Sequence, residues 1–184
     1  MEQTSLQKIE KNHGNYASFA IWDEKNYDAN PTELIKIYMN DLKPQIVIVG
    51  LNASRDTKNF EAFHCKHRGG RGEWLKDAFN KSRFRGAYMT DIIKDVNPKS
   101  KNVKLSENDI KTFSNELKDL GCKNFTVIAI GKRAYKILND NKTRIINQDN
   151  IKIDIKKIPH YASRIEREDF IGKVNKLAYS FTKT

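Results

Sequence analysis

The chain has 184 residues, 38% of them hydrophobic and 31% charged, which fits a single domain over residues 1–184 with a core on both faces of a sheet. Lys and Arg total 34 against 23 Asp and Glu, a net charge of +11, which points to a polyanionic partner. Two cysteines exclude a disulfide framework and a four-thiolate cluster, and no stretch approaches the ~18 consecutive apolar residues of a membrane span, so a cytoplasmic, soluble monomer without membrane association is expected.

In chain order, Asn30-Pro31-Thr32-Glu33 predicts a helix start, with Asn30 as N-cap, proline at the first helical position and Glu33 reaching back. Leu34, Ile37 and Tyr38 are its expected buried stripe. The apolar run from Gln45 to Val49 predicts a strand buried on both faces, ending in Gly50-Leu51-Asn52-Ala53-Ser54. Residues 55–73 read as a long polar loop carrying Phe60, Phe63, His64 and His67, then the basic stretch Arg68-Gly69-Gly70-Arg71-Gly72. His64 and His67 flank Cys65, but their spacing suits no closed zinc site and no second ligand pair follows, so no metal is expected. Trp74, Leu75, Ala78 and Phe79 fit a helix.

Ala87–Ile93 is a second strand, broken by Asn97-Pro98-Lys99-Ser100-Lys101. Ser106 caps a helix with Ile110, Phe113, Leu117 and Leu120 on one face and Gly121 at its end. A third strand runs from Phe125 to Ile130 and is followed by Gly131 and a short helix through Ala134, Tyr135 and Leu138. The Asn- and Lys-rich tract 139–150 reads as a surface loop. Ile151–Ile158 alternates as an outer strand does and delivers His160 to the edge that holds Asn52, and a last helix buries Phe170, Val174 and Leu177. Four strands with helical crossovers predict a three-layer α/β/α sandwich around a central four-stranded parallel sheet.

Three segments, Gly50-Leu51-Asn52-Ala53-Ser54, Ala87-Tyr88-Met89-Thr90-Asp91-Ile92-Ile93-Lys94 and Pro159-His160-Tyr161-Ala162-Ser163-Arg164, resemble in this order the motifs of the uracil-DNA glycosylase superfamily. The small number of cysteines argues against its iron-sulfur branch. The resemblance implies a uracil-DNA glycosylase-like fold, DNA as partner, no cofactor, and hydrolysis of the bond between a flipped base and its sugar. Cleavage of that bond develops positive charge on the sugar and negative charge on the base, so a site must place water and support the leaving base. Asn52 and His160 suit these roles, because an amide orients water and an imidazole donates to a base carbonyl. Phe60 or Phe63, with Phe63 preferred, offers a stacking face.

Two positions depart from the family and bear on the substrate. Where relatives have Thr-Asn reading the uracil edge, this chain has Thr90-Asp91, and an ionised carboxylate only accepts hydrogen bonds, which favours the exocyclic amine of cytosine. Where strict uracil enzymes carry a tyrosine that blocks carbon 5, this chain has Ser54. The last motif has His160-Tyr161-Ala162 in place of His-Pro-Ser, with Arg164 where a wedge or phosphate contact lies in some relatives. Arg68 and Arg71 are further expected DNA contacts. The resulting expectation is a monofunctional glycosylase for 5-modified cytosine, such as glucosylated hydroxymethylcytosine in phage DNA, serving anti-phage defence. The alternatives are a uracil or thymine mismatch repair glycosylase and a catalytically silent nucleic-acid-binding member of the fold.

Overall fold

A computed structural model describes residues 1–26, 29–64, 72–146 and 150–181. Among these, five strands form one sheet: β1 (Ala17–Phe19), β2 (Lys43–Asn52), β3 (Ala87–Ile93), β4 (Asn124–Ile130) and β5 (Lys152–Ile158), in the order β1-β3-β2-β4-β5. The helices are α1 (Gln3–His13), α2 (Pro31–Ile37), α3 (Gly72–Asn80), α4 (Glu107–Leu120), α5 (Lys132–Asp140), α6 (Lys142–Ile146) and α7 (Arg167–Ser180). Strands β2 to β5 are mutually parallel where they pair, and each parallel step is spanned by at least one helix, as parallel strands require.

The period of two along the strands builds both cores. Val47, Val49, Tyr88, Val127 and Ala129 face one side, against Ile9 of α1, Phe113 of α4, Leu138 of α5 and Ile145 of α6. Ile48, Met89, Ile128, Ile130 and Ile158 face the other, against Leu75 and Phe79 of α3 and Phe170 and Val174 of α7. Each Val, Leu, Ile, Phe or Met among them contributes about 1.5–3 kcal/mol through burial. Helices on both faces of a mostly parallel sheet make a mixed three-layer α/β/α sandwich.

Local signals behave largely as the residues dictate. The Asn30 side chain accepts from the Thr32 N–H at 3.0 Å, ahead of Pro31. Ser106 and Asp109 form a reciprocal capping box, and Gly121 closes α4 at φ 74° in the left-handed region. The four expected strands are present, but the sheet has a fifth, β1, antiparallel to β3 at its edge. Its three residues are all buried, so it shows no alternation for a sequence to reveal. On α2 the buried residues are Pro31, Leu34 and Ile35, whereas Ile37 is 71% and Tyr38 37% exposed. The buried stripe runs at i, i+3 and i+4 from Pro31, which leaves Ile37 off that face. Tract 139–150 is not all loop, since α6 lies within it and Ile145 joins the core.

The register sets up the site. Gly50 pairs with Asp91 and Asn52 with Ile93 across β2 and β3, while β5 ends at Ile158, two residues before His160. The carboxyl ends of the parallel strands therefore converge on one edge, where ligands bind in open α/β sheets.

Candidate active site

A cleft of about 560 Å³ opens at that edge, lined by Gly50, Asn52, Ser54, Phe63, Asp91, Gly131, His160 and Tyr161 among others. Asn52 ends β2, half-buried, and its amide orientation is fixed by two backbone acceptors. Its Nδ2 donates to the Ala53 carbonyl at 2.9 Å and to the Asn97 carbonyl at 2.8 Å. Both amide protons are thereby used, which leaves Oδ1 as an acceptor with no described donor. The Asn97 N–H donates back to the Ala53 carbonyl at 2.9 Å. The 97–103 segment is held in turn by Arg133, whose guanidinium donates to the carbonyls of Ser100 and Val103. Asn97 and Arg133 were not legible as site residues, because only the fold brings them to Asn52.

His160 is oriented with equal definition. The Ala162 N–H donates to Nδ1 at 3.0 Å, so in the neutral ring the proton sits on Nε2. Burial lowers the imidazole pKa from its usual value, which keeps the ring neutral and Nε2–H a donor. Tyr161 stacks on the ring with centroids 4.6 Å apart. Opposite, Gly131 has φ 91°, and a Cβ there would approach the His160 Cβ to 3.2 Å, so glycine serves both the turn and the close packing.

The loop before α3 separates its two phenylalanines. Phe60 is 1% exposed and packs edge-on against Phe19 with centroids 6.0 Å apart, so it belongs to the core. Phe63 is half-buried and lines the cleft. Both have φ 65°, as side-chain-bearing residues rarely do. His64 is buried, donates through Nε2 to the Phe19 carbonyl at 3.3 Å and lies against Trp22. Burial lowers its pKa to about 4, leaving it uncharged at neutral pH.

Asp91 is 6% exposed and lines the same cleft. Its carboxyl rests over Gly50, where an added Cβ would meet Asp91 Oδ1 at 2.2 Å and Phe63 Cε1 at 3.2 Å. Glycine at position 50 is thus the condition for carboxyl and ring to share one wall. Burial raises the Asp91 pKa to about 7, an effect that Glu116 reinforces and Lys94 opposes. Beside the expectation of an ionised carboxylate, burial therefore favours an acid form that coexists with the anion near neutrality, and no described residue donates to the oxygens. Lys94 is committed elsewhere, with Nζ donating to Glu116 at 2.9 Å, to the Thr90 hydroxyl at 2.8 Å and to the Asp91 backbone carbonyl. Glu116, fully buried on α4, also accepts from Tyr88 and Thr90. This network fixes the backbone beneath Asp91.

Ser54 is exposed at the cleft. Arg164 is exposed on the segment after His160 but is not part of the lining. Arg68, Arg71, Cys65 and His67 lie outside the described residues. Arg55, Lys132 and Arg133 line the cleft, and no described carboxylate pairs with Arg55 or Lys132. No described helix is long and apolar enough to cross a membrane, and the described residues contain no cluster of three metal-ligating side chains. The chain matches no family model and no curated protein.

Chemically, the cleft offers the Asn52 acceptor oxygen, the neutral His160 N–H donor, the Asp91 carboxyl with Glu61 elsewhere in the lining, the rings of Phe63 and Tyr161, and cationic side chains from Arg55, Lys132 and Arg133.

Proposed function

We propose that the protein is a monofunctional DNA glycosylase of the uracil-DNA glycosylase type, cleaving the N-glycosidic bond of a flipped pyrimidine to leave an abasic site. The observation that carries this reading is the convergence of Asn52 and His160 at one cleft with complementary, fixed polarity. Asn52 presents an acceptor with its own protons tied down, and His160 presents a donor with its acceptor nitrogen tied down. In the mechanism, Oδ1 of Asn52 accepts from a water and aims its oxygen at the sugar C1′. Nε2–H of His160 donates to the base carbonyl on which negative charge grows, and such a preorganised donor is worth about a hundredfold in rate. Phe63 supplies the stacking face, and Arg55, Lys132, Arg164, Arg68 and Arg71 are assigned to the DNA backbone.

For the base, we favour a 5-modified cytosine. Asp91 faces the pairing edge, where cytosine offers an amine donor beside a basic ring nitrogen, while uracil offers a carbonyl that does not take a proton. Exposed Ser54 leaves space for a substituent at carbon 5. Glucosylated hydroxymethylcytosine of phage DNA meets both conditions, and a host whose own cytosines lack the adduct could use such an enzyme in defence. The test is incubation with duplexes carrying uracil, a thymine mismatch, cytosine, hydroxymethylcytosine or its glucosylated form, followed by alkali. Alkali-labile breaks at the modified cytosine are expected. Preference for uracil would move the substrate to a repair role, and binding without breaks at any base would identify a silent DNA-binding protein instead.

A further inference from the structure

The Asp91 carboxyl combines three features that a structural carboxylate does not show together. It is more than nine-tenths buried, no described residue hydrogen-bonds to either oxygen, and it lines the cleft beside Phe63 over Gly50. Buried carboxylates in structural roles accept several N–H or O–H groups. Here the two charged groups that act on it from behind the cleft are turned away. Lys94 and Glu116 pair with each other through the Thr90 hydroxyl, which β3 alternation places on the opposite face of the sheet from the Asp91 side chain. Tyr16 lies beneath the Lys94 ammonium, 4.5 Å from ring centroid to Nζ. From the cleft side come His64 and His160, both with lowered pKa values, and the charged lining residues Arg55, Glu61, Lys132 and Arg133.

Resting on the glycosylase reading of this cleft, we propose that Asp91 is the general acid of the reaction, protonating the ring nitrogen N3 of an aminopyrimidine as its glycosidic bond breaks. Uracil leaves as an anion spread over two carbonyls. Cytosine has only one, so its departure needs a proton on the ring. The acid form of Asp91 donates O–H to N3 while its other oxygen accepts from the 4-amino group. As C1′–N1 breaks, the bonding pair stays with N1, the proton moves from Asp91 to N3, and the base departs neutral. The water held by Asn52 bonds to C1′ and releases a proton to solvent, from which Asp91 is reprotonated, so one water is consumed and no other co-reactant is required. A carboxyl held in its acid form near neutral pH, as burial holds this one, is suited to the step.

Single-turnover excision from pH 6 to 9 tests this, with duplexes carrying hydroxymethylcytosine, its glucosylated form or uracil, and with wild type and Asp91→Asn. The wild-type rate on the cytosine bases is expected to fall about tenfold per pH unit above about 7. Asp91→Asn should lose about a hundredfold or more on those bases and become independent of pH, yet remove uracil at least as fast as wild type. Titration of Asp-labelled protein by carbon NMR should show one carboxyl changing near pH 7 in wild type and none there in the variant. A flat wild-type profile on cytosine bases overturns the proposal while leaving the glycosylase reading in place, as does a folded Asp91→Asn with wild-type rate. Release of no base from any duplex overturns the glycosylase reading itself.

Discussion

Replacing Asp91 by asparagine should make the protein more stable at pH 8 while changing little at pH 4. In the unfolded chain the carboxyl ionises near 3.8, whereas in the fold burial holds the proton until about pH 7. Between those values the folded state binds the extra proton, so wild-type stability declines as pH rises through the window, and the loss is complete above about 7. At ~1.4 kcal/mol per pH unit the whole window amounts to about 4 kcal/mol, and access of cleft water to the carboxyl reduces this to about 2–4 kcal/mol. Asparagine is close to isosteric and carries no charge to desolvate, so the difference between variant and wild type grows from near zero to that figure. Urea denaturation of both proteins at half-unit steps from pH 4 to 8 measures the difference directly, with contributions from other titrating groups cancelling. A difference constant across the range would refute the assignment of a desolvated carboxyl without a described hydrogen-bond donor at this position.

Other perturbations separate the parts of the site. Gly50→Ala would drive a methyl into the Asp91 carboxyl and against Phe63, so a destabilisation of about 1–3 kcal/mol and loss of excision are expected; a melting temperature and turnover like wild type would place the carboxyl elsewhere. Asn52→Ala should lower excision about a hundredfold or more at unchanged DNA affinity, measured by single-turnover cleavage and fluorescence anisotropy. Arg133→Ala, which releases the 97–103 segment behind Asn52, should give a smaller loss of the same kind. DNA affinity should fall steeply with salt, and alanine at Lys132, Arg55 or Arg164 should each reduce the logarithmic salt slope by about 0.9; an unchanged slope in all three would remove the DNA from this face.

Much of this arrangement was legible in the residues because it depends on local signals. The four parallel strands, the Asn30 and Ser106 caps and the Gly121 stop each follow from a few neighbouring side chains, and strand ends carrying Asn52, Asp91 and His160 necessarily meet once the sheet is parallel. Features set by tertiary contact were not legible. Edge strand β1 is too short to show a period, and α6 owes its place to tertiary contacts, with Ile145 in the core and Ile146 packed against it. Phe60 and Phe63 are alike in sequence and differ only in which side of a strained loop they occupy. The protonation of Asp91 depends first on how deeply the fold buries its carboxyl and then on where Lys94 spends its donors, and no reading of residue type anticipates either.

Mass spectrometry of the material released from a duplex containing a single glucosylated hydroxymethylcytosine, incubated with wild type or Asn52→Ala before any alkali is added, decides whether a base is hydrolysed off through Asn52. Wild type should liberate the intact free base in proportion to the abasic sites that alkali later reveals, with at most about a hundredth of that rate from Asn52→Ala. Absence of free base from wild type, or equal release by the two proteins, would exclude glycosidic hydrolysis through Asn52.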